Sequence, residues 1–277
     1  MSQRVILIVL DGLNHAVGHH AMGYLSALVE AGRGQYQSLD CELPAMSRPL
    51  YECLLTGELP VNSGIVNNGI VRRSRGISLF DLASQQGKRT AAAAYHWVSE
   101  LYVAAPFVPA RHRWLDNPES AIQAGIFYWQ DHYPDDHLFS DAEMLRLRHD
   151  PDFLLVHSMN IDDAGHRHGG ETPQYRNAAR HADVALADYL PAWLEAGYQV
   201  MVTADHGMNA YRSHSGLLEE ERRVPLWTFG NAFANGAATD LKQRELCGTL
   251  ATLLGLEHSK ASNPSLLASH AATRGLK

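Results

Sequence analysis

Four stretches of this chain are runs of apolar, often β-branched residues. They read RVILIVLDG at 4–12, FLLVHSMN at 153–160, YQVMVTAD at 198–205 and VPLWTFG at 224–230. A strand with one wet face alternates apolar and polar residues. A continuous apolar run instead marks a strand covered on both faces, as in a parallel sheet. KRTAAAAYHW at 88–97 is a weaker candidate strand, since its alanines also suit a helix. Helical spacing fills 20–31, 49–57, 78–87, 173–196 and 243–254. Strands alternating with helices predict an α/β fold: a doubly wound, mostly parallel sheet with helices on both faces. The 277 residues, 45% of them hydrophobic, suffice for one large core, so 1–277 is expected to form a single α/β domain.

One segment departs from this pattern. Residues 98–140 hold Tyr102, Phe107, Trp114, Phe127, Tyr128, Trp129 and Tyr133 among prolines and histidines. They are expected to form a small cap insertion over the sheet edge, with rings that hold a leaving group. The tail after about residue 258 is polar and rich in Ala and Ser, as loosely packed chain would be.

Charge narrows the function. The formal net charge is −7 with no basic run, which argues against binding a nucleic-acid polymer. A small phosphorylated substrate then needs a local source of positive charge, such as a metal. Cys41, Cys53 and Cys247 show no metal or redox spacing, and a low odd count fits a reducing compartment. The first apolar run is too short for a signal peptide or a membrane span. The expected location is cytoplasmic, with no membrane contact.

In open α/β sheets, ligands bind beyond the carboxyl ends of the strands. Three runs end there in polar residues: Asp11 after the first, 160–162 after the second, Asp205 and His206 after the third. Asp11 before Gly12 also suits a turn or helix cap. In NIDDAGHRHGG, Asp162 and His166 are four apart, so one helical turn puts both on one face, able to grip one ion. Asp163 is an alternative ligand or a cap, and His168 a more remote residue. TADHG, with His214 eight residues after His206, is hard to explain as packing. Three aspartates and three histidines form a mixed O and N donor set suited to two zinc ions, with manganese as an alternative. Ser47, in LPAMSRPLYECLLTG, precedes a helical stretch. It is read either as an N-cap or as a hydroxyl at a helix terminus that can meet an anion.

Taken in order, Asp11, Ser47, Asp162-x-x-Gly-His166, Asp205-His206-Gly207 and His214 resemble the alkaline phosphatase superfamily. Within it they look most like the type I phosphodiesterase/nucleotide pyrophosphatase branch, as does LLTGELPVNSGIVNN at 54–68. The resemblance implies two zinc ions. Asp162, His166 and His214 would hold one; Asp11, Asp205, His206 and the Ser47 oxygen would hold the other. It also implies a phosphoric ester hydrolase working through a phosphoserine at Ser47, on a nucleotide or another phosphodiester. Three carboxylates against two dications leave a surplus of about +1 to favour an anionic phosphoryl group. The branch usually reads Thr-x-Pro-Asn where this chain has Ser47-Arg48-Pro49-Leu50. Arg48 is therefore a candidate for the lost phosphate contact, or a surface residue. Sulfatases of the superfamily carry Arg where this chain has Tyr51. A sulfatase-like hydrolase and a catalytically silent phosphate-binding protein are the alternatives.

Overall fold

The computed structural model describes residues 2–268. Eight strands form one sheet: β1 (Arg4–Leu10), β2 (Gln35–Asp40), β3 (Thr90–Tyr95), β4 (Trp114–Asp116), β5 (Ala124–Tyr128), β6 (Phe153–Ser158), β7 (Tyr198–Thr203) and β8 (Arg223–Phe229). Their order is β2-β8-β7-β1-β6-β3-β5-β4. From β7 to β5 every pairing is parallel. β8, β2 and β4 pair antiparallel at the two flanks. The mostly parallel α/β sheet expected from the sequence is therefore present, with antiparallel edges that apolar runs alone cannot announce.

Burial explains the centre. β1, β6 and β7 are apolar on both faces because helices cover both. One layer contains the helices Asp135–His149 and Pro173–Glu195; the other contains Ser47–Thr56, Leu79–Gln85 and Glu245–Leu253. Ala91–Ala94 of β3 are fully buried. Their small side chains let the helix Asp135–His149 lie close against this strand, so the alanine run is a strand.

Several expected boundaries shift. The helix expected at 20–31 is two helices, His15–Ala21 and Gly23–Glu30. Asp183 accepts the Tyr24 and Leu25 N–H groups at 2.7 and 3.1 Å, capping a new helix start. Residues 98–140, expected as a cap insertion, supply β4, β5 and the start of the helix Asp135–His149. All of β5 is buried and it pairs along β3, so this part of the segment belongs to the main sheet. In the tail, the turn Pro264–Leu266 buries Leu266 and Leu267, and Phe233 pairs with Leu267, so the chain packs this far. The rest of the tail, 269–277, lies outside the described residues. No helix among the described residues is long and apolar enough to cross a membrane.

Candidate metal centre and nucleophile

β7, β1 and β6 are neighbours in register, with Leu10 opposite Ser158 and Val9 opposite Thr203. The residues that follow these strands therefore emerge side by side. Asp11 is anchored by its own N–H, which donates to the Ser158 carbonyl at 3.0 Å. Gly12 then turns the chain at φ +71, and a Cβ there would lie 2.8 Å from Asp162 Oδ1. Glycine permits both the backbone angle and the close approach of Asp162 to Asp11. Asp162 and His166 project from one turn of the helix Asn160–His168, with His166 Nε2 3.3 Å from Asp162 Oδ2. Asp163 faces away and pairs with Arg167 at 3.0 Å; His168 is exposed.

The three histidines share one arrangement. Nδ1 of His166 lies 3.1 Å from the Arg212 carbonyl, Nδ1 of His206 2.9 Å from that of Gly207, and Nδ1 of His214 2.7 Å from that of Ala45. Each carbonyl can only accept, so each Nδ1 carries a proton and each Nε2 is the nitrogen turned inward. Yet Nε2 of His214 and Nε2 of His166 face each other at 3.2 Å. Two lone pairs at that distance repel unless a cation or a proton lies between them.

The carboxylates make the same demand. Asp11 Oδ1, Asp162 Oδ1 and Asp205 Oδ2 are buried without a hydrogen-bond partner among the described residues. Ligand atoms of Asp11, Asp205 and His206 lie within 4.8 Å of one another, as do those of Asp162, His206 and His214. Buried carboxylates with free oxygens are costly alone, and a divalent cation supplies the missing partner. The residues present therefore fit metal binding.

The ionisation pattern has the same origin. Burial, then the neighbouring Asp205 and Asp162, hold Asp11 well above the carboxylate range. Burial pushes Asp205 up to about 7. Burial also works against the Asp162 charge, but His166, His206 and His214 outweigh it and hold the pKa down. The Asp162 hydrogen bond raises His166 to about 9, while burial lowers His214 to about 4 and also lowers His206.

Ser47 does not cap its helix. Met46 holds the N-cap position, and Ser47 is the first helical residue. Its Oγ lies 3.0 Å from His206 Nε2. Of the two sequence readings of Arg48, one is overturned. Arg48 is 1% exposed, which removes the surface alternative. Its Nη2 pairs with Glu100 Oε2 at 2.7 Å, its Nε donates to the Asn68 carbonyl at 2.9 Å, and its guanidinium lies 4.6 Å over the Trp97 ring. Two nitrogens of the fork are thus engaged by the protein, while Nη1 is buried without a hydrogen-bond partner among the described residues. Asn68 was not anticipated. Its Oδ1 accepts the Arg48 N–H at 3.0 Å, so the amide sits at the helix terminus beside Ser47. Tyr51 and His157 were also missed: the Tyr51 hydroxyl donates to Asp11 Oδ2, and His157 Nε2 lies 3.3 Å from it. A histidine interrupting the apolar run of β6 was the available signal.

Among the expected aromatic contacts, Tyr102 is buried and donates to Glu52 at 2.9 Å, so it cannot hold a leaving group. Tyr133 stacks on Tyr128 at 4.8 Å, and Trp114 is 60% exposed on edge strand β4. Tyr95 and Trp97, at and just past the carboxyl end of β3, are in ring contact at 5.2 Å.

Known proteins resemble this chain in sequence and in fold. A human protein, the catalytic subunit of GPI ethanolamine phosphate transferase 2, is 24% identical over 95% of this chain. GPI ethanolamine phosphate transferase 3 of Schizosaccharomyces pombe is 30% identical over 38% of it. The chain spans 27% and 12% of these curated relatives. Murine ectonucleotide pyrophosphatase/phosphodiesterase 5 shares the fold with a TM-score of 0.73 at 12% identity, over 96% of this chain and 100% of that one. A 2-O GAG sulfatase shares it with a TM-score of 0.66 at 16% identity, over 94% of this chain and 72% of the other. Residues 5–224 match the profile of the type I phosphodiesterase/nucleotide pyrophosphatase family. With the sheet and the sequence profile in agreement, this chain belongs to the type I phosphodiesterase/nucleotide pyrophosphatase family.

Proposed function

We propose that the chain is a metal-dependent phosphodiester hydrolase that works through a phosphoserine at Ser47. The observation that carries this reading is the gathering of three inward-turned Nε2 atoms and three unpartnered carboxylate oxygens, with a buried serine hydroxyl against His206. Asp162, His166 and His214 would hold one zinc ion, and Asp11, Asp205 and His206 the other. When bound, the ions supply positive charge for the phosphoryl group and for the serine and leaving-group oxygens. Ser47 is held at the first turn of its helix, and its Oγ attacks phosphorus in line with the leaving oxygen. Asn68, with Oδ1 occupied by the Arg48 N–H, turns its amide N–H groups to a phosphoryl oxygen. Water then cleaves the phosphoserine.

Arg48 adds little charge to the site, because Glu100 neutralises it. That leaves the singly charged phosphate of a diester better matched than a doubly charged monoester. The structural neighbours include an inactive form of the murine phosphodiesterase in complex with AMP, and a nucleotide ester is accordingly one candidate substrate.

A transferase reading is favoured by the two curated relatives. It shares the first half-reaction and differs only in that an acceptor hydroxyl, rather than water, resolves the Ser47 ester. Rates with bis(p-nitrophenyl) phosphate, p-nitrophenyl phosphate and p-nitrophenyl sulfate, with and without zinc, test the proposal. Zinc-dependent turnover that is fastest on the diester is expected. Sulfate cleavage alone, or none of the three, overturns it. An added alcohol that increases nitrophenol release and appears in the phosphorylated product marks the transferase.

A further inference from the structure

The two carboxylate oxygens of Asp11 keep different company. Oδ2 accepts the Tyr51 hydroxyl and lies 3.3 Å from His157 Nε2. Oδ1 has no hydrogen-bond partner among the described residues and lies 3.5 Å from His206 Nε2. A carboxylate with one oxygen tied and the other free is an oriented ligand, ready to give one oxygen to an ion. Tyr51 follows Ser47 by four positions on the helix Ser47–Thr56, so both side chains leave the same face. One helix thus presents the hydroxyl nucleophile and also reaches across to the end of β1. The Tyr51 ring is fixed by an edge contact with His157 at 4.4 Å, and its hydroxyl lies 3.3 Å from Met159 Sδ.

We propose that Tyr51 is a positioning residue for Asp11: by holding Oδ2 it turns Oδ1 toward His206 and sets the affinity of the Asp11, Asp205 and His206 group for a divalent cation. Asp162, His166 and His214 do not depend on this contact. A neutral phenol orients the carboxylate and leaves its charge available to an ion.

The inference rests on the two-metal reading, and one experiment separates their failures. Metal-free wild type, Tyr51→Phe and Asp11→Ala are titrated with Co²⁺, following the visible absorption of the bound ion and its competition with a chelator. Wild type is expected to take up two ions. Tyr51→Phe should keep one site at wild-type affinity and weaken the other about 10–100-fold, the surviving site having the spectrum of the one left in Asp11→Ala. Unchanged affinity at both sites, or equal weakening of both, overturns the role of Tyr51 while the metal reading stands. A wild-type protein that takes up no divalent ion overturns both. If metal-free Tyr51→Phe lacks the wild-type circular dichroism, Tyr51→Met fills the same space without a hydroxyl and is read by the same criteria.

Discussion

Ser47 Oγ lies 3.0 Å from His206 Nε2, and His206 Nδ1 is occupied by the Gly207 carbonyl. The serine hydroxyl therefore donates to a neutral imidazole, and its oxygen lone pairs stay free. Had Ser47 been a helix cap, Ser47→Ala would cost about 1 kcal/mol of stability and spare turnover. With Met46 at the cap, the expectation reverses. Ser47→Ala should melt near wild type and keep its metal content, yet lose about 10³-fold or more in kcat. Acid quenching of wild type during turnover should trap phosphate on the peptide around Ser47, as read by mass spectrometry. Full turnover in the alanine variant, with no trapped ester, would sink the covalent route.

Arg48 separates a structural from a chemical role. Arg48 and Glu100 are both buried and meet at 2.7 Å. Removing one partner strands the other. Arg48→Met should destabilise the fold by about 3–5 kcal/mol, and Arg48→Met with Glu100→Gln should regain much of that loss. A direct phosphate contact predicts the opposite: a large fall in kcat/KM with little change in the denaturation midpoint. Urea melts and kinetics on the same variants decide between the two.

The contrast with Arg48 shows what a sequence can carry. Asp11, Asp162 and Asp205 were legible because strand period and length put them at strand ends, where an α/β sheet gathers its ligands. His166 was legible through its helical spacing from Asp162. Asn68 was not, because it reaches Ser47 only through the return of a long loop, and no local period encodes such a return. The burial of Arg48 was not legible for a related reason: its partner Glu100 is more than fifty positions away, so nothing nearby marked the charge as paired. β5 was hidden by its aromatic neighbours, which suggest a cap as readily as a strand, and its pairing with β3 is a long-range fact.

Asn68 itself should matter more than its absence from the expected motif suggests. Asn68→Ala removes the proposed phosphoryl donor and should lower kcat about 10²–10³-fold. Losing the acceptor for the Arg48 N–H costs about 1 kcal/mol in stability. Asn68→Asp keeps that acceptor but turns an oxygen toward the substrate. It should restore stability and lower turnover at least as far as alanine does. An aspartate variant with wild-type kcat, measured on bis(p-nitrophenyl) phosphate at saturation, would show that the amide does not touch the reacting group.

The facing nitrogens of His166 and His214 give a pH dependence whose sign can be worked out. In the metal-free protein His166 is raised to about 9 by Asp162. The folded state therefore binds this proton more tightly than the unfolded state, and the stability it contributes is full below about 6.5 and lost as pH rises through 9. Asp205 and Asp135, each raised by burial to about 7, act in the same direction: the folded carboxyl keeps its proton, and stability falls as pH climbs from about 4 to 7. His214 and His96, lowered by burial to about 4, act oppositely, but only below about 6.5. Above that pH the surviving contributions share one sign. The metal-free protein should melt at progressively lower temperature from pH 6.5 to 9. Zinc should reverse the trend, because binding requires the protons on His166 and Asp205 to leave, so affinity rises with pH and stabilisation grows with it. Differential scanning calorimetry of chelated and zinc-loaded protein across this range checks both slopes. Parallel slopes in the two forms would mean that these residues release no protons to a bound ion, and would count against the metal assignment.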